Sequence, residues 1–134
     1  MHKTLDFHIR KQSESNYEIQ VFERGNSQPL ASGVLEFDVS YMTQFEINRL
    51  EPDDEDPQGR WERIESFGRK LHDKIFTDDI QRVWNEFKVK SEFLNLCVRL
   101  DPNAPELDAL PWEILFDGEE FLSAGPKTGL TRLG

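Results

Sequence analysis

Phe93-Leu94-Asn95-Leu96-Cys97-Val98-Arg99-Leu100 is the stretch on which the fold turns. Leu94, Leu96, Val98 and Leu100 fall on one face of an extended chain, and Phe93, Asn95, Cys97 and Arg99 fall on the other. Both faces are partly apolar, which predicts a strand inside a sheet covered on two sides. Asp101-Pro102 ends it. A strand of this kind preceded by helices predicts an α/β domain.

Upstream, three runs alternate with a period of two. Leu5, Phe7 and Ile9 share one face; Tyr17, Ile19 and Val21 repeat the pattern; Leu35, Phe37 and Val39 repeat it again. Polar turn residues separate them, Gln12 to Asn16 and then Arg24-Gly25-Asn26-Ser27. The spacing predicts an antiparallel meander whose apolar face must be covered. A short helix is expected over 41–50, with Ser40 as its cap. Residues 51–59, Glu51-Pro52-Asp53-Asp54-Glu55-Asp56-Pro57-Gln58-Gly59, read as an acidic loop.

A helix is expected from about Arg60 to Phe76. Ile64, Gly68, Leu71 and Ile75 form its stripe, flanked by Trp61 and Phe67. Gly68 on that stripe lets a neighbour approach closely. Thr77 fits an N-cap, Asp78 and Asp79 suit the positive end of the next helix, and that helix carries Ile80, Val83, Trp84 and Phe87. After the long strand, a short helix is expected around Leu110-Pro111-Trp112-Glu113, with Pro111 at its first position. Asp117-Gly118 turns the chain, Phe121-Leu122-Ser123 starts a further strand, and Leu130-Thr131-Arg132-Leu133 is strand-like with no partner in view. The organisation is therefore a strand leader with a short helix over 1–50, an acidic loop over 51–59, and a helical pair with the first core strands over 60–134. The sheet is expected to be incomplete.

The chain has 134 residues, enough for one domain, and its ten Phe and three Trp supply large core pieces. A net charge of −10 argues against nucleic acid and against an anionic membrane surface as partner. There is no apolar run long enough to span a bilayer and no signal-peptide pattern. One cysteine excludes an internal disulfide. A cytoplasmic protein is expected.

Candidate chemistry is sparse. Cys97 lies mid-strand, where a small buried side chain is expected rather than a nucleophile. His2 and His8 share a strand face but are about 20 Å apart at strand rise. His72 is expected on the solvated side of its helix. No Cys/His spacing suits zinc, and counting from Asp53 places Gln58 and Ile64 where a calcium loop needs Gly and Glu, so no metal and no cofactor is expected. Gly125-Pro126-Lys127-Thr128-Gly129 lacks the Gly before Lys and the following helix that a phosphate loop requires. Ser123 lacks a nucleophile elbow.

The run Phe93 to Leu100, then Pro105-Glu106-Leu107, Leu110-Pro111-Trp112-Glu113-Ile114-Leu115-Phe116-Asp117, Phe121-Leu122-Ser123 and Pro126-Lys127-Thr128, resembles the start of a CHAT domain. Phe67-Gly68-Arg69-Lys70-Leu71-His72-Asp73-Lys74-Ile75-Phe76 is similar to the segment before that family's first core strand, and Phe37-Asp38-Val39 with its preceding strands looks like its leader. The resemblance implies a prokaryotic caspase-like cysteine protease with a His/Cys dyad, often attached to TPR-type or other sensor modules. It implies that this chain is the amino-terminal part alone. No position here matches the His or Cys motif, so no catalytic residue is assigned, and the chain is expected to be inactive by itself. Its implied partner is the remainder of the protease domain or a second chain. The alternative is a stand-alone binding module that docks a partner through its unpaired sheet edge. The signature residues Leu110, Pro111, Trp112 and Glu113 are expected to be structural. Trp112 is to bury its ring and find a carbonyl for its N–H, and Glu113 is to accept backbone N–H bonds and hold the following loop.

Overall fold

A computed structural model of the chain describes residues 1–36 and 56–133. It is a mixed α/β fold. Strands β1 (His2–Lys11), β2 (Asn16–Glu23), β3 (Ala31–Glu36), β4 (Phe93–Leu100) and β5 (Thr128–Leu133) form one sheet in the order β3-β2-β1-β4-β5. Helices α1 (Pro57–Ile75) and α2 (Asp78–Lys90) lie between β3 and β4 in the chain. The expected helix over 41–50 and its Ser40 cap, Phe37 and Val39, and residues 51–55 of the acidic loop lie outside the described residues.

The meander forms as its alternation predicts. β1 pairs antiparallel with β2 and β2 with β3, so that Leu5, Phe7, Ile9, Tyr17, Ile19, Val21 and Leu35 share one buried face. β3 begins at Ala31, earlier than the apolar alternation signals, because its edge position lets Ser32 and Val34 stay on the outer side. β4 then pairs with the other side of β1, in parallel, from His2↔Phe93 to Ile9↔Leu100. β5 adds to β4, also in parallel, from Leu94↔Thr128 to Arg99↔Leu133. The segment expected to lack a partner therefore has one. The sheet is antiparallel on one side of β1 and parallel on the other. Phe121 does not open a strand: it makes an isolated bridge with Phe116 around the Asp117–Glu120 turn.

Helix α1 starts at Pro57, inside the stretch expected to be loop. Asp56 Oδ1 accepts from the Gly59 backbone N–H at 3.0 Å, and proline at the first position gives up a donor that had no helical partner. α1 buries Ile64, Phe67, Leu71 and Ile75 against the sheet. It also buries His72, which is 5% exposed, and this corrects the expectation of a solvated histidine. His72 lies four residues after Gly68 and three before Ile75, so it belongs to the same stripe. α2 follows Thr77, whose hydroxyl makes no cap bond; its carbonyl accepts from Gln81 N at 2.7 Å. Where the two helices meet, Phe7, Phe76 and Trp84 pack with ring centroids 5.4 to 6.3 Å apart.

Gly68 acts as the sequence predicts. The Phe116 backbone N–H donates to the Gly68 carbonyl at 3.2 Å, and a β-carbon added at Gly68 would fall on the Ile114 carbonyl oxygen. That oxygen belongs to backbone fixed by its own turn, so it cannot swing aside. Gly68→Ala should therefore destabilise the fold by about 1–3 kcal/mol, although alanine is the better helix former by about 1 kcal/mol. Chemical denaturation checks this, and a stabilised variant would show that the α1 contact is looser than described.

Candidate functional site

The connection between β4 and β5 carries the signature residues. It crosses the buried face of the sheet through two single 3-10 turns, Pro105–Leu107 and Trp112–Ile114, in place of the usual helix. Leu107, Leu110, Trp112, Leu115 and Leu122 are all buried there. Trp112 has its whole side chain inside, and its Nε1–H donates to the Leu107 carbonyl at 2.8 Å. Pro111 caps this turn from outside instead of occupying its first position. Ser123 Oγ donates to the Glu113 carbonyl at 2.7 Å, and the Thr128 hydroxyl donates to the Leu122 carbonyl at 2.9 Å, tying the loop to the start of β5.

Among the described residues, the Glu113 side chain accepts no backbone N–H. Its carboxylate takes Arg132 of β5 in a forked contact, Nη1 to Oε1 at 2.9 Å and to Oε2 at 3.2 Å. Arg132 Nη2 also donates to the Asp108 carbonyl and to Asp108 Oδ1. One guanidinium thus fastens both sides of the signature turn to the last strand. Nothing in local periodicity announces this pair, because only the parallel pairing of β5 brings residue 132 over residue 113.

Cys97 and the histidines do not assemble into a protease dyad. Cys97 is buried on the face of the sheet opposite α1, so the sheet separates it from His72. His72 Nδ1 lies 3.2 Å from Asp73 Oδ1, and its ring stacks on Phe76 at 4.4 Å. An ionised carboxylate only accepts, so Nδ1 carries the hydrogen. Burial lowers the His72 pKa, and the attraction of Asp73 and Asp117 opposes this without reversing it.

His8 shares the outer face with Cys97 and Asp6. Asp6 stands opposite Cys97 and His8 opposite Arg99, so His8 and Cys97 are diagonal neighbours. Their electrostatics run against nucleophilic catalysis, which needs a thiolate beside an imidazolium. Burial, followed by the hydrogen bond to Asp6 and its charge, pushes the Cys97 thiol up. Burial and the Arg99 charge push His8 down. Its ring packs on Phe22 at 4.7 Å. Burial alone would raise the Asp6 carboxyl, but Arg24, the Cys97 thiol and Arg99 together hold it below the usual aspartate value. Arg24 Nη2 donates to Asp6 Oδ1 at 2.8 Å and Arg99 Nε to the same oxygen at 3.4 Å.

Among the described residues, no group of three or more His, Cys, Asp and Glu side chains is placed to hold a metal ion. Also among them, no helix is long and apolar enough to cross a membrane. Comparison with protein-family models, curated proteins and solved structures returns no match.

Two measurements bear on these assignments. Trp112→Phe removes the closer of the two donors to the Leu107 carbonyl, leaving the Leu110 N–H at 3.2 Å, and empties part of a fully buried ring site, so it should cost about 1–3 kcal/mol. Arg132→Ala breaks a pair whose acidic members are half-exposed or more, and should cost less than about 1 kcal/mol. Urea melts should rank them in that order; the reverse order would make the guanidinium the principal fastening of the turn. The second measurement concerns pH. His72 has a lowered folded pKa, so its contribution is complete above the unfolded value of 6.5 and is lost as pH falls through that value, where the unfolded chain binds a proton that the folded one refuses. His8 acts in the same direction. Stability should fall from pH 7.5 to pH 5, and His72→Gln should flatten the slope. An equal slope in that variant would place the dependence on other groups.

Proposed function

We propose that this chain is the amino-terminal framework part of a CHAT-type caspase-like cysteine endopeptidase and is non-catalytic by itself. The observation that carries this reading is the seating of Leu110-Pro111-Trp112-Glu113. The segment lies between two parallel strands, buries Trp112 completely, and is locked to the second strand by Arg132. A turn built in this way sets the spacing and direction of adjacent parallel strands, which suits a framework that other strands extend. The lone thiol supports the non-catalytic half of the proposal: Cys97 is buried beside the Asp6 carboxylate, and burial and that charge push its thiol up, towards the neutral form. In this reading the His/Cys pair is supplied by further sequence or by a second chain, with a sensor or TPR-type module as a further partner.

A second reading has an observation of its own. Among the described residues the outer edge of β5 is unpaired, and Leu133 at its end is 41% exposed. A free edge of this kind accepts an added strand. It favours a stand-alone protein-binding module derived from the same leader region.

Peptidase assays on this chain, and on the longest open reading frame that contains it, separate the two. The chain alone should cleave nothing. A reading frame running on past Gly134 into a histidine strand and a later cysteine should yield an active product, and Cys97→Ala should leave that activity intact. Loss of activity in a folded Cys97→Ala variant would overturn the framework assignment. A stop codon directly after Gly134, with a stable inactive monomer, would favour the binding module.

A further inference from the structure

We draw no further inference here: the strongest candidate, the cluster of Arg24 and Arg99 around the Asp6 carboxylate on the outer face of the sheet, carries none, because nothing in the structure shows what covers that face.

Discussion

Everything in this fold hangs on β1 pairing on both its sides. Leu5, Phe7 and Ile9 stand in the middle of the buried face, with Val21 and Ile19 to one side and Leu96, Val98 and Leu100 to the other. Without β4 the meander is a three-stranded ribbon with one dry face. Without the meander β4 and β5 are two parallel strands with nothing to close against. β1 converts these into one sheet, and α1 and α2 then have a single surface to cover. The aromatic packing of Phe7 with Phe76 and Trp84 places the helix junction directly over that central strand.

The second constraint is local. The connection from β4 to β5 must return the chain to the same end of the sheet without a full helix. It does so with two 3-10 turns, a buried Trp112 and a close approach to Gly68. Each part depends on the others. The Ile114 carbonyl can lie against α1 only because residue 68 has no side chain, and Phe116 can bond to α1 only because Ile114 lies there. Arg132 then closes the circuit from β5, at a site open enough to water for its contribution to be one of geometry more than of energy.

Much of this was legible in the residues. β4 has the bounds that its alternation and the Asp101-Pro102 stop require. The meander, the two amphipathic helices, the burial of Cys97 and the purpose of Gly68 follow from period, caps and the absence of a β-carbon. Three features did not follow. α1 begins at Pro57 because Asp56 caps it, which is invisible when Asp56-Pro57 is taken as part of an acidic run. His72 is buried although histidine and its Asp73 neighbour suggest water; its spacing from Gly68 and Ile75 was the better signal. The pairing of β5 and the Arg132–Glu113 contact are non-local, set by a crossover whose path no short-range pattern encodes. For the candidate site, the burial of Trp112 and the carbonyl partner of its N–H were readable, whereas the cluster of Arg24 and Arg99 around Asp6 emerges only once strands distant in sequence are side by side.

The parallel register of β1 with β4 has a consequence in time. His2 lies opposite Phe93, so the central ladder joins segments about ninety residues apart. Such a contact closes a long loop before it returns any stabilisation, which slows folding. During synthesis, at about 5–20 residues per second, β1, β2 and β3 leave the ribosome seconds before β4 exists. For that interval the β1 edge that will meet β4 has no partner, and the apolar row beneath it has no cover from the helices. The nascent chain is therefore most exposed to mispairing at the strand that the finished protein holds most securely.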